Sequence, residues 1–88
     1  MNFEVNRELV LSTSHIDDEA AKFLNDSELN YSSDPANYRL HVGTMLLPEI
    51  YIPEVIRYIA AIALAQDCKW LVLDCDGDVH VEIPQFDW

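Results

Sequence analysis

The chain has 88 residues, half of them hydrophobic, with sixteen acidic side chains against five basic ones and a formal net charge of −11. A chain of this length makes one core with a radius of gyration of about 12 Å, which excludes a multidomain enzyme, and its apolar content excludes disorder. The charge excludes binding of nucleic acid or anionic membrane through a basic patch and leaves basic proteins, metal cations or a solubilising role.

The charge is also segregated. Residues 1–16 sum to −1, 17–34 to −5, 35–66 to zero and 67–88 to −5. Cys68 and Cys75 are the two cysteines, and their spacing is that of neither a redox pair nor a metal knuckle, so free thiols in a reducing cytoplasm are expected. The opening MNFEVNRELVLSTS has no basic n-region and no long apolar stretch, and no apolar run approaches the ~20 residues of a membrane span, so a cytoplasmic protein is expected.

In chain order, Leu9-Val10-Leu11 followed by Ser12-Thr13-Ser14 predicts a buried first strand that runs out into a polar loop. Asp17, Asp18 and Glu19 stand ahead of Ala20, Ala21, Phe23 and Leu24, and carboxylates there favour a helix from about Asp17 to Asn25. Asp26 to Asn37, with its Asn, Ser and Asp residues and Pro35, reads as a loop. From Tyr38 to Leu47 the pattern begins by alternating, with Tyr38, Leu40 and Val42 on one face and Arg39, His41 and Gly43 on the other. That predicts a half-exposed edge strand. Pro48 and Pro53 bracket a turn, and Pro53 opens a helix to Gln66 whose apolar residues cover most of its circumference, so it is either deeply packed or partly hidden in an interface. Trp70–Cys75 and Asp78–Ile83 read as two strands of a hairpin, with Asp76-Gly77 supplying the positive φ angles of a type I′ turn.

The resulting order βαβαββ predicts a single small α/β domain over residues 1–88, with a mostly parallel three- to four-stranded sheet, two helices and a C-terminal β-hairpin. Strand order 2-1-3-4 with one helix on each face fits best. The alternative, 1-2-3-4, places both helices on one face and leaves the other open to a partner or a second copy. Either way the carboxyl ends of strands one and three share an edge, which brings Asp17, Asp18 and Glu19 towards Asp74, Asp76 and Asp78.

No constellation here carries catalysis. Leu71-Val72-Leu73-Asp74-Cys75-Asp76-Gly77 resembles the opening motif of haloacid dehalogenase-type phosphatases, where the first Asp attacks phosphate and the second is a general acid. In that family the hydroxyl residue, lysine and acidic pair follow over many tens of residues, whereas fourteen residues stand after Asp74 here, and a turn accounts for the same letters. Asp74, Asp76 and Asp78 also suggest a calcium loop, but Val79 and Gln85 stand where its glycine and its bidentate glutamate belong. A solvated acidic turn is expected, with no metal site and no cofactor. Ser14-His15 implies no mutual geometry, and His41 and His80 fall at half-exposed strand positions without zinc spacing. With Gly43 and Gly77 as the two glycines, a glycine-rich phosphate loop is excluded.

Two stretches resemble a family. Leu9-Val10-Leu11-Ser12-Thr13-Ser14-His15-Ile16 with Glu19 and Leu24, and the run from Cys68 to Gly77 with the tail Ile83-Pro84-Gln85-Phe86-Asp87-Trp88, resemble an uncharacterised family of small proteins and domains in bacteria, plasmids and phages. The resemblance covers about half the chain, leaves the middle from Asn25 to Ile52 unaligned, and implies no activity. It implies a setting among accessory proteins of mobile elements, a class that includes small acidic inhibitors of host defence.

Magnitude bears on what the acids imitate. A domain of about 30 Å covers a length of duplex carrying roughly 18 phosphate charges, and eleven net charges reach a little over half that density. The expected function is therefore a non-enzymatic, acidic protein-binding inhibitor. Its partner would be a basic, nucleic-acid-binding surface of a host defence complex such as a CRISPR effector or restriction enzyme, bound in part by nucleic-acid mimicry. The residues expected to carry it are Asp17, Asp18, Glu19, Asp74, Asp76 and Asp78, with Glu82 and Asp87 in support. The alternatives are a metal-assisted hydrolase using Asp74 and Asp76, and a structural homodimer joined through helix 53–66 or an open sheet face.

Overall fold

The computed structural model describes residues 6–34 and 37–87; Pro35 of the expected loop, the first five residues and Trp88 of the tail lie outside them. Strands β1 (Glu8–Ser12), β2 (Asn37–His41) and β3 (Trp70–Asp74) form one sheet, accompanied by helices α1 (Asp18–Asp26), α2 (Val42–Met45) and α3 (Glu54–Ala65). The radius of gyration, 12.6 Å, agrees with what the chain length predicts.

Alternation in the strands sets the layers. The inner face carries the cross-strand rows Leu9–Leu71–Leu40 and Leu11–Leu73–Tyr38. Ala20, Ala21 and Leu24 of α1 and Ile56, Ile59, Ala60 and Ala63 of α3 close over it in a single core cluster. The opposite face carries the rows Glu8–Trp70–His41, Val10–Val72–Arg39 and Ser12–Asp74–Asn37, and Val10 there is 44% exposed. The Arg39 guanidinium lies 4.3 Å over the Trp70 ring and bridges to Glu8, while Tyr31 and His41 meet Trp70 edge-on. The domain is thus a two-layer sandwich with its helices together on one face, as in the alternative arrangement above and not as in the favoured one.

Four expectations are corrected. The strand order is β1-β3-β2, so β3 is central and both β1 and β2 are edges. β1 runs parallel to β3 as expected, but β2 is antiparallel to it, so the sheet is mixed rather than mostly parallel. The segment 27–36 makes the reversal possible: ten residues reach at most about 36 Å, twice the ~17 Å of a five-residue strand, enough to return the chain to the end where Asn37 pairs with Asp74. That segment is no idle connection, because Tyr31 N–H donates to Arg39 O and Arg39 N–H to Asn30 Oδ1, covering the outer edge of β2.

The third correction shortens strand two. It stops at His41, whose ring Nδ1 accepts from the Thr44 N–H and caps the one-turn α2, so the alternation beyond Val42 never becomes sheet. The fourth removes the hairpin: no described residue beyond Asp74 is in a strand, and no glycine has positive φ.

Helix boundaries follow local chemistry. Asp17 accepts the Ala20 N–H at 2.8 Å, and Asp18 and Glu19 occupy the first turn of α1. α3 ends in a Schellman motif, with Cys68 N–H on Ala63 O, Asp67 N–H on Leu64 O, and Asp67 at φ 62°. Its Arg57 donates to the carbonyls of Met45, Leu47 and Ile50, pinning the connection that precedes it. Tyr58, Ala61 and Leu64 of α3 stay exposed, so its apolar residues are not all covered. No helix among the described residues is long and apolar enough to cross a membrane.

Candidate functional site

Parallel pairing of β1 with β3 places Ser12 opposite Asp74, so the expected shared edge at their carboxyl ends exists. Beyond Asp74 the chain turns tightly: Gly77 N–H donates to Asp74 O, and Asp76 N–H to the Asp74 carboxylate, both at 2.8 Å. Cys75 N–H donates to Asn37 Oδ1, tying this turn to the start of β2. One donor atom each from half-buried Asp74 and exposed Cys75 and Asp76 lies within 4.8 Å of the others, a mixture of hard and soft ligands.

Desolvation, then the carboxylates of Asp76, Asp74 and Asp34, push the exposed Cys75 thiol above its ordinary value. A raised thiol holds less thiolate at neutral pH, and thiolate is the nucleophile, so this cysteine is poorly suited to covalent catalysis. Alkylation of Cys75 by iodoacetamide at neutral pH is accordingly expected to be slower than that of an unperturbed thiol. Asp76→Asn is expected to speed it several-fold, while buried Cys68 stays unmodified until the domain unfolds. An unchanged rate in Asp76→Asn would show that the carboxylates do not govern the thiol.

From Asp78 onward the chain crosses the end of β1. Ser12 N–H donates to Asp78 O and Phe86 N–H to Ser14 O, both at 2.8 Å. The crossing leaves an open cleft of about 320 Å³ lined by Ser12, Thr13, Ser14, Cys75, Phe86 and Asp87, in which the Ser12 and Ser14 hydroxyls share a hydrogen bond of 2.9 Å. A second cleft of about 220 Å³ lies where α1 and α3 begin. Asp17, Glu19 and Glu54 line it together with Phe23 and Tyr51, whose rings meet edge-on at 5.6 Å, and Tyr51 is 75% exposed.

The eight acidic residues singled out in the sequence are therefore divided. Asp87 lines the first cleft, and Asp74 and Asp76 lie beside its lining residue Cys75 without lining the cleft themselves. Asp17 and Glu19 line the second, with Asp18 exposed on the same helical turn. Asp78 engages β1 through its carbonyl, and Glu82 is exposed on the C-terminal segment and lines neither cleft. Sequence reasoning missed Asp34, Glu54 and the aromatic walls Phe23, Tyr51 and Phe86. Tyr51 alone carried a signal, as an aromatic residue in the turn between Pro48 and Pro53. Neither cleft is lined by a lysine or arginine, and Arg39 and Arg57 are engaged within the fold.

No curated protein matches the sequence, and no solved structure matches it. One family model does, over residues 8–88, described as "Family of unknown function (DUF5983) C-terminal domain". The two-layer domain with its two open clefts is thus a member of the DUF5983 family.

Proposed function

We propose that this domain is a protein-binding module that captures a basic, nucleic-acid-binding surface, its targets being host defence complexes in the mobile-element setting that the resemblance implies. The carrying observation is that each cleft sets a carboxylate beside an aromatic ring, Asp87 beside Phe86 in the first and Asp17, Glu19 and Glu54 beside Phe23 and Tyr51 in the second, while neither is lined with a lysine or arginine. Such a site is complementary to a partner's cation, which carboxylates pair with and aromatic faces attract. Exposed pairs contribute about 0.2–1 kcal/mol each, so capture rests on the sum of many and falls steeply with salt.

The test is affinity capture from a bacterial lysate through a rising salt series, comparing the wild-type domain with a variant carrying Asp17→Asn, Glu19→Gln, Glu54→Gln, Asp74→Asn, Asp76→Asn and Asp87→Asn. Nucleic-acid-binding proteins are expected to be retained by the wild type at low salt, and the variant is expected to bind them at least about tenfold more weakly. Equal retention by the two, or retention insensitive to salt, refutes the reading. A second reading, a homodimer through α3, is favoured by the exposed Tyr58, Ala61 and Leu64. Sedimentation over a concentration series tests it, and a strict monomer removes it.

A further inference from the structure

One fully buried titratable group plays no part in that reading. His15 sits in the 3-10 turn Thr13–His15 with no exposed surface, and both of its ring nitrogens are bound by backbone of the C-terminal segment. Its Nε2 receives the His80 N–H at 2.9 Å, and its Nδ1 lies 2.9 Å from Pro84 O. A backbone N–H can only donate and a carbonyl can only accept. Nε2 must therefore offer its lone pair and Nδ1 must carry the proton, so the ring is fixed as the neutral Nδ1–H tautomer.

Around this ring residues 78–87 form a strap across the carboxyl end of β1. Further attachments include Ser12 N–H on Asp78 O, Phe86 N–H on Ser14 O, and the buried side chain of Ile83 in the core cluster. The strap also supplies Phe86 and Asp87 to the first cleft.

We propose that His15 is a proton-operated latch, holding the strap 78–87 in place while neutral and releasing it on protonation at Nε2. The lone pair on Nε2 either accepts the His80 N–H or holds a proton, and it cannot do both. The imidazolium keeps its donor to Pro84 O, loses its acceptor for His80 N–H and turns one N–H against another, on a side chain with no exposed surface to solvate the charge. The released state has no such conflict, so acid favours release and rising pH favours the latched form. The ionisable groups on the surrounding segments are Asp17 at the α1 cap, Asp74, Cys75 and Asp76 on the turn after β3, and Asp78, His80, Glu82 and Asp87 on the strap. The two hydrogen bonds of the ring go to backbone atoms rather than to these groups, and the His80 ring instead accepts the Glu82 N–H within the strap. Release would dismantle the first cleft by removing Phe86 and Asp87, a consequence for binding that rests on the function proposed above.

Nuclear magnetic resonance on the full chain tests the latch directly, with ring-nitrogen shifts reporting the His15 tautomer and amide exchange reporting the strap. At neutral pH the Nδ1–H form is expected. As pH falls and the His15 ring titrates, the His80 and Phe86 amides are expected to lose protection by about tenfold or more, while Leu71 and Leu73 in β3 keep theirs. His80→Ala, which retains the backbone donor, should preserve the acid transition, and His15→Gln, an acceptor that does not titrate, should abolish it. The latch is overturned by an Nε2–H tautomer at neutral pH, by strap amides that stay protected while the ring titrates, or by strap and sheet opening together. It is equally overturned by loss of the transition in His80→Ala. These readouts need no partner, so failure of the lysate capture and failure of the latch are separate results.

Discussion

Gly77→Ala is expected to destabilise the domain by about 2–4 kcal/mol, through overpacking against a backbone that cannot yield cheaply. A Cβ at position 77 would stand 2.6 Å from Leu11 O, 2.7 Å from Leu11 C and 3.0 Å from Ser12 N, and these atoms belong to β1 where the chain passes over it. Either the strand end or the crossing must move, and Ser12 N–H then parts from Asp78 O. Chemical denaturation measures the loss, and for a domain of this size each kcal/mol corresponds to a fall of roughly 4–8 °C in Tm. Gly77→Asn separates two explanations. Asparagine is tolerated at positive φ but not where the space for a Cβ is filled, so it should cost at least as much as alanine. A well-tolerated asparagine would restore the turn role that the Asp76-Gly77 dipeptide first suggested.

Leu71→Ala is expected to cost about 2–5 kcal/mol, the range for emptying a fully buried leucine site. Leu71 is the centre of the row Leu9–Leu71–Leu40 on the middle strand and has no exposed surface. A domain of 88 residues has roughly 4–13 kcal/mol in all, so this one substitution removes a large share of it. Val72→Ala, one residue along on the half-exposed outer face, should cost about 1 kcal/mol or less. Equal losses at the two positions in equilibrium unfolding would mean that the outer face is covered in solution.

Local signals read well in the sequence, and long-range pairing did not. Asp17, Asp18 and Glu19 mark the start of α1 because capping depends on near neighbours, and the apolar period from Val55 onward marks α3 to within a residue. Leu71 and Leu73 identify a buried strand, but nothing local tells whether its neighbours run with it or against it. The direction of β2 depends on how far residues 27–36 travel, and chain length permits either answer.

The hairpin failed for a related reason. Asp-Gly favours a turn wherever it occurs, yet the strand that should have followed found its partners in the His15 ring and in the backbone of Ser12 and Ser14. The acidic residues were legible as two blocks, and the shared end of β1 and β3 was anticipated. The clefts beside them are completed by Glu54 and Phe86, which carry no pattern of their own, and by Tyr51, whose one signal is its place in the turn between Pro48 and Pro53.

The strand on which both other strands pair is the last of the three to be synthesised. A nascent chain that has emerged only as far as Lys69 holds β1 and β2 with no ladder between them, because each finds its partner in residues 70–74. Sheet formation must therefore wait until translation has passed Asp74, and the apolar faces of β1 and α3 stay uncovered until then. Such late, non-local closure slows folding and leaves the emerging chain dependent on the acidic block of residues 17–34, the one already synthesised, to resist aggregation.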